Sequence, residues 1–229
     1  CNELATNNRL PEYIPEMIRD WIYGECVSSG RQRSSLLAVM DTLIKTGGNP
    51  CGQAKLARES GLANNTVAAG YLELLSDLMC VGLAYPFDTS KKIILRRKPC
   101  KFHFINLLAA LSWFPNHIRT IDDFNTLPRE IQGNWYEWMV AQELWRRSVI
   151  KGNEFAEILP FWQSKLHEID FIYENQQAIE VKRGKASPME LIWFTSSFPN
   201  KNLKVISTNK FKTHFAESFT LEDFLLEQP

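Results

Sequence analysis

Residues 168–185 read EIDFIYENQQAIEVKRGK, two runs of alternating apolar and charged residues around a short polar turn. This alternation predicts two β-strands, because successive side chains of a strand point to opposite faces. In the second run, Ala178, Glu180 and Lys182 share one face. The turn at residues 174–176 is short enough for a hairpin.

The charged face of this hairpin is the first candidate for chemistry. Glu168 and Asp170 share a face of the first run, and pairing of the two strands would bring Asp170, Glu180 and Lys182 together. Carboxylates are ligands for a divalent cation, and an ammonium group beside them suits a phosphate or an attacking water. The hairpin therefore predicts a site for a metal ion and a phosphate.

The spacing of these three residues resembles the signature of the PD-(D/E)xK nuclease superfamily. Ile169 stands where that signature often has proline, a replacement that the superfamily tolerates. Further stretches follow in the family's order, at residues 133–144, 161–162, 168–171 and 179–182. Together they resemble the C-terminal domain of unknown function that many prokaryotic AAA-type ATPases carry.

The resemblance implies phosphodiester hydrolysis that depends on Mg²⁺ or Mn²⁺. It implies that Asp170 and Glu180 bind the metal and that Lys182 completes the catalytic set. The backbone carbonyl of Val181 is a further ligand in such folds, and Glu137 matches an acidic residue that commonly joins the site. The resemblance also implies an ATPase domain upstream of residue 1. The alternative function is a non-catalytic module that binds nucleic acid or protein and regulates the ATPase.

A second interpretation applies to Glu137. A helix is expected to begin near Asn134 and to end around residues 146–147, which places Glu137 in its first turn. Asn134 with Glu137 three residues later is also a capping-box arrangement. Glu143 is expected to be an exposed partner of Arg146 or Arg147.

The composition of the 229 residues is that of a globular protein, with 45% hydrophobic and 23% charged residues. No apolar run approaches the ~20 residues that a membrane span needs, so no membrane partner is expected. The five cysteines are widely spaced and odd in number, which favours reduced thiols, a cytoplasmic location and no zinc site. No phosphate-binding loop of the P-loop type is present, so no ATP bound by this chain is expected.

The expected fold class is α+β, with a winged helix-turn-helix followed by a restriction-endonuclease-like domain with a mixed sheet. We expect an N-terminal helical segment at residues 1–30, a winged helix at 31–100, a helical connector at 101–130 and the nuclease-like domain at 131–229. Within the last domain, strands are expected at 155–159, 161–162 and 203–207, and helices at 188–198 and 220–226. Leu191, Ile192, Trp193 and Phe194 are expected to be buried.

The winged helix is the predicted DNA contact. Residues 33–79 predict three helices joined by tight turns, followed by strands at 82–87 and 92–97. The third helix has no Lys or Arg, so only Asn64, Asn65 and Thr66 near its start suit base contacts. Basic residues instead cluster on the wing, which suits phosphate contact: Lys91, Lys92, Arg96, Arg97 and Lys98. There are two alternatives to DNA contact. In one interpretation the basic residues only protect a solvated edge strand with their charge, and in the other this domain only connects the ATPase to the C-terminal domain functionally.

Two interpretations also apply to the basic residues near the nuclease-like motif. Lys165, Arg183 and Lys185 either line a rim that binds the nucleic-acid backbone or are simply solvated. The four histidines have no metal-ligand spacing and are expected to be structural or on the surface.

Overall fold

The computed structural model describes residues 6–152, 159–174 and 177–227 and has a mixed α+β fold. Contacts within the chain divide it into two compact units. The first unit contains the residues up to Gly82 together with Lys101–Gln132. The second contains Leu83–Cys100 together with the residues from Gly133 onward. The limits of the four expected domains stay a prediction.

The first unit is mostly helical. Its elements are α1 (Tyr13–Ser28), α2 (Arg33–Thr46), α3 (Gln53–Glu59), α4 (Asn65–Asp77), α5 (Leu107–Trp113) and α6 (Ile121–Thr126). Strands β1 (Val81–Ala84) and β4 (Lys101–Phe104) form a two-stranded sheet. Helix α2 forms because Leu36, Val39, Met40 and Leu43 recur at helical spacing, and all four are buried.

Helices α2, α3 and α4 correspond to the three helices that the sequence predicts. The turn before α4 uses Gly61, whose φ of +64° suits a residue without a Cβ. The side chain of Asn64 then caps α4 by accepting a hydrogen bond from the Val67 N–H at 3.0 Å. Thr42 of α2 accepts a hydrogen bond from Ser60 at 2.9 Å, which ties the end of α3 to α2. The turn between α3 and α4 therefore rests on a local helix cap and on one buried polar contact.

The second unit contains a mixed four-stranded sheet in the order β10-β9-β8-β7. Its elements are β2 (Phe87–Asp88), β3 (Ile93–Ile94), α7 (Arg129–Ile150, from Gly133 onward), β5 (Trp162–Gln163), β6 (Glu168–Ile169), β7 (Phe171–Tyr173), β8 (Gln177–Val181), a 3₁₀ turn (Pro188–Leu191), α8 (Trp193–Ser197), β9 (Leu203–Ile206), β10 (Ala216–Phe219) and α9 (Leu221–Leu226). Strands β7 and β8 are antiparallel, whereas β8, β9 and β10 are parallel.

The apolar core of this unit fixes the hairpin of β7 and β8. Ile172 and Ala178 lie in one buried cluster with Val205 of the central strand β9 and Phe194 of α8. Because the side-chain period of a strand is two, burial of this face sets the register and sends Glu180 to the other face. The predicted hairpin and the interior position of β9 are confirmed.

The hairpin of β2 and β3 belongs to the second unit. Phe87 lies in the same buried cluster, and Ile94 packs against it. The Phe87 N–H donates to the Phe161 carbonyl at 2.7 Å, and the Phe161 N–H donates to the Tyr85 carbonyl at 3.1 Å. The hairpin of β2 and β3, called the basic hairpin below because of its Lys and Arg residues, therefore belongs to the unit that also carries the predicted nuclease motif.

Helix α7 corrects the expected start near Asn134. It begins at Arg129, directly after Pro128, and continues through Gly133 to Ile150. Glu137 therefore lies in the interior of the helix, and the capping-box interpretation of Asn134 and Glu137 is wrong. The reason is that Pro128 is a favourable residue just before a helix, so the helix starts one turn earlier.

Three further details differ from the sequence prediction. Ile192 is 63% exposed although it was expected to be buried, because the segment begins as a tighter 3₁₀ turn and presents a different face. Glu143 pairs with Arg146 and Arg147 as expected, but it is only 7% exposed, so the expectation that it is on the surface is wrong. Strand β10 was not predicted. Most of the strand expected at 155–159 lies outside the described residues.

The helices of the described part of the chain include none that combines the length and hydropathy of a membrane span.

Candidate active site

Asp170 is placed by the backbone of the hairpin. It follows β6 and precedes β7, and its side chain is buried, with 6% of the residue exposed. Its Oδ2 accepts a hydrogen bond from the Val181 N–H at 2.8 Å. Phe171 pairs with Ile179, so Asp170 lies opposite Glu180 one step further along the ladder. The hairpin therefore brings the two predicted carboxylates to neighbouring positions.

Glu180 and Lys182 occupy the same face at the end of β8. Glu180 is 6% exposed, and its Oε1 lies 2.5 Å from the ammonium nitrogen of Lys182. Burial alone would lower the pKa of Lys182, but the negative charges of Glu180, Asp170 and Glu137 outweigh it and raise that pKa. Lys182 is therefore protonated at neutral pH, and the negative charges of three carboxylates stabilise the protonated form.

These side chains line a pocket of about 420 Å³. Among the described residues that line it, the only Lys or Arg is Lys182. Five lining residues are acidic, namely Glu137, Glu168, Asp170, Glu180 and Glu190. At short range and partial burial, such an excess of negative charge repels a phosphate. A phosphate can enter favourably only if a cation accompanies it.

The donor set fits a divalent cation of the Mg²⁺ type. Carboxylate and carbonyl oxygens are the ligands that such ions prefer. The Val181 N–H points toward Asp170, and the carbonyl of an extended residue points to the same side as its N–H, so this carbonyl adds a third oxygen. Among the described residues, no group of three or more His, Cys, Asp or Glu side chains has the arrangement of a metal site. The oxygen ligands that suit the cation are therefore those of two carboxylates and one backbone carbonyl.

Glu137 reaches this pocket from helix α7. It lies two turns into the helix, and it contributes to the negative charge that raises the pKa of Lys182. The structure therefore brings together all five predicted residues of the metal and catalytic set: Glu137, Asp170, Glu180, Val181 and Lys182.

Comparisons with protein-family models, curated proteins and solved structures give no match to this chain. The resemblance to the AAA-type ATPase C-terminal region therefore stays a prediction based on the motif residues.

The opposite wall of the pocket is aromatic and was missed by sequence reasoning. His167 stacks on Trp193 with ring centroids 4.2 Å apart and planes 2° apart. Trp193 is also near-parallel to Trp162, at 6.0 Å and 11°. No spacing in the sequence signals this stack, because the rings come from a hairpin and from a helix that follows β8.

The predicted DNA contacts fall in both units. Asn65 and Thr66 are exposed at the start of α4 in the first unit. The five basic residues are exposed on and beyond the hairpin of β2 and β3 in the second unit: Lys91, Lys92, Arg96, Arg97 and Lys98. The Asp88 carboxylate accepts hydrogen bonds from the Ser90 and Lys91 N–H groups, each at 3.0 Å, which orders the turn between the two strands.

Arg183 and Lys185 follow the motif directly. The Arg183 guanidinium lies over the ring of Tyr136 at 4.9 Å, which fixes it beside α7. Lys185 is exposed, as is Lys165, which precedes the pocket residue Leu166. All three have positions that suit a rim for the nucleic-acid backbone.

Proposed function

We propose that this chain is the nuclease-like module of an AAA-type ATPase and that it hydrolyses DNA with the help of Mg²⁺ or Mn²⁺. The observation that carries this proposal is the convergence of Asp170, Glu180 and Lys182 in one pocket. The spacing of the motif already predicts that these side chains meet, and the pocket adds the burial of both carboxylates, the ion pair of Glu180 with Lys182 and the approach of Glu137 from α7.

The chain's own residues have separable roles in this proposal. Asp170 and Glu180, with the Val181 carbonyl, would hold the cation, and Glu137 would add negative charge to the pocket. A bound cation of this type polarises a phosphate and lowers the pKa of a bound water. Lys182 is a protonated donor beside the carboxylates, so it can hold a phosphate oxygen or orient a water. The Asp170 bond to the Val181 N–H keeps the carboxylate in position before any ligand arrives.

Cleavage assays test the proposal directly. The full chain is incubated with plasmid and with single-stranded circular DNA in the presence of Mn²⁺, Mg²⁺ or EDTA. We expect cleavage with either metal and none with EDTA, because the pocket repels phosphate without a cation. Absence of cleavage in all conditions would count against catalysis.

The ion pair between Lys182 and Glu180 favours a second candidate function. Lys182 already neutralises one of the carboxylates, as expected of a module that binds DNA or protein and regulates the ATPase without catalysis. Calorimetric titration with Mg²⁺ separates the two candidates. Saturable binding that Glu180→Gln weakens supports the nuclease, whereas no heat of binding supports the regulatory module.

The basic hairpin provides a prediction about phosphate contacts. Replacing Lys91 and Lys98 with alanine is expected to lower the slope of log affinity against log salt by about 2 for double-stranded DNA, because each lysine releases about one counterion. The measurement is fluorescence anisotropy across a salt series.

The matched control removes two other lysines from the same unit. Lys210 and Lys212 are exposed and form ion pairs with Asp223 and Glu217 at 2.7 and 2.9 Å. Their double alanine variant has the same net charge as the test variant and is expected to keep the wild-type slope. Equal slopes for both variants would refute a phosphate-binding role of the hairpin.

A further inference from the structure

The aromatic wall of the candidate active site has an open rim of apolar side chains. Leu166 lines the pocket and is 85% exposed. Met189 and Ile192, which flank the pocket residues Glu190 and Leu191, are 83% and 63% exposed. These exposed apolar side chains lie in the two segments that border the pocket, and exposed apolar patches are a feature of binding sites.

A hydrogen-bonded turn places the Leu166 side chain in solvent. It lies at the tip of a four-residue turn between β5 and β6, in which the Ser164 N–H donates to the His167 carbonyl at 2.8 Å. The Ser164 hydroxyl oxygen also accepts a hydrogen bond from the His167 N–H at 2.9 Å. The turn is therefore closed by its own bonds, and Lys165 and Leu166 project from it into solvent.

His167 is the flat element of this rim: it covers one face of Trp193, while Trp193 also lies near-parallel to Trp162 and packs on the apolar core, so the ring face left for a ligand is the outer face of His167. Ring faces are suited to stacking by nucleobases of any sequence, because every base has a π-face. A base can stack in this way only if its face is accessible, which is the case in a single strand but not inside a duplex. A base platform next to a pocket for a metal ion and a phosphate matches the alternation of base and phosphate along one nucleic-acid strand.

We propose that Leu166 and His167, with Trp193 supporting the histidine ring from behind, bind an unpaired nucleobase, so that the site prefers single-stranded DNA, or unpaired ends of DNA, to continuous duplex. This inference rests on the proposed function, since the adjacent pocket is taken as the phosphate site. Lys165 at the tip of the turn supplies a positive charge for the neighbouring backbone phosphate. Five acidic residues of this site line the pocket, where the cation would balance part of their charge.

Binding of a fluorescent base analogue tests the platform. The full chain is titrated into a short single strand carrying 2-aminopurine, and into a duplex of the same sequence, with Ca²⁺ in place of Mg²⁺. We expect stacking to quench the fluorescence of the single strand. Leu166→Ala and His167→Ala are each expected to weaken single-strand binding about tenfold and to leave duplex binding unchanged.

Two matched variants serve as controls. His214 and Leu226 are exposed in the same unit and do not line the pocket. His214→Ala and Leu226→Ala are expected to bind the single strand as the wild type does. Far-ultraviolet circular dichroism and thermal unfolding verify that all four variants fold.

The outcomes separate this inference from the proposed function. Cleavage of duplex with no preference for single strands, or unchanged single-strand binding by both rim variants, overturns the platform and leaves the nuclease intact. Quenched single-strand binding without cleavage supports the platform and overturns the nuclease. A dimer in sedimentation that Leu166→Ala dissociates would assign the rim to a second copy of the chain and would also overturn the platform.

Discussion

Replacing Asp170 with asparagine is expected to reduce Mn²⁺-dependent DNA cleavage by about a hundredfold or more. The loss follows from removal of one of the two carboxylates that would hold the cation, and a bound cation contributes several kcal/mol to such reactions. The measurement is the initial rate of plasmid nicking at saturating Mn²⁺.

Asparagine is the informative substitution because it separates chemistry from stability. Its amide oxygen can still accept the hydrogen bond from the Val181 N–H, so the fold should keep its wild-type midpoint in urea. Alanine removes this acceptor and leaves a buried N–H without it, at a cost of about 1–3 kcal/mol. Asp170→Ala is therefore expected to lose both activity and stability.

The control for charge is Glu217→Gln. Glu217 is an acidic residue of the same unit that lies outside the pocket and pairs with the exposed Lys212. This variant should cleave at the wild-type rate. If Asp170→Asn cleaves as fast as Glu217→Gln, the metal-dependent nuclease proposal is wrong.

Replacing Arg147 with alanine is expected to have the largest effect on stability, about 3–5 kcal/mol. Arg147 is 7% exposed and donates to the buried carboxylate of Glu143 at 2.7 Å. It also donates to the Phe224 carbonyl and to the Glu227 carboxylate, and its guanidinium lies 4.5 Å from the centre of the Phe224 ring. The variant removes this donor from the Phe224 carbonyl, leaves the buried Glu143 with Arg146 alone, and breaks the link between α7 and α9. Urea unfolding measures the loss.

Arg146 is the matched control for this prediction. It also donates to Glu143, at 2.7 and 2.8 Å, but its side chain is 46% exposed. Exposed ion pairs contribute about 0–1 kcal/mol, so Arg146→Ala should cost much less than Arg147→Ala. Equal losses for the two variants would show that burial of the pair does not determine its contribution.

The same pair predicts a dependence of stability on pH. Burial raises the pKa of Glu143, but the hydrogen bonds and charges of Arg146 and Arg147 outweigh it and lower that pKa below 4.5. A carboxyl whose pKa is lower in the folded state stabilises the fold above its unfolded pKa, and this contribution is lost as pH falls through the folded value. The free energy of unfolding should therefore fall below about pH 4.5 in the wild type, and should fall less in Arg147→Ala.

Local features of the chain were readable from its sequence. Alternation over residues 168–182 predicted the hairpin of β7 and β8 because a strand repeats every two residues. Asn64 and Thr220 are of residue types that favour helix starts, and in the structure their side chains accept hydrogen bonds from the Val67 and Asp223 N–H groups. Such patterns depend only on neighbours a few positions away.

The convergence of the site was only partly predictable. Asp170, Glu180 and Lys182 were expected to meet because strand pairing brings Asp170 beside Glu180, and Lys182 shares a strand face with Glu180. The ion pair of Lys182 with Glu180 and the reach of Glu137 from α7 depend on how a helix packs on the sheet. Distances between elements are set by side chains that are far apart in the sequence, so no spacing along the chain encodes them.

The sequence by itself determined which segments become helices and strands in the hairpin region and which polar residues share a strand face. The tertiary structure alone decided that Glu143 is buried, that His167 lies on Trp193 and that the basic hairpin packs with the second unit. The physical reason is that periodicity and capping act over one or two turns, whereas burial depends on which distant apolar side chains close over a residue.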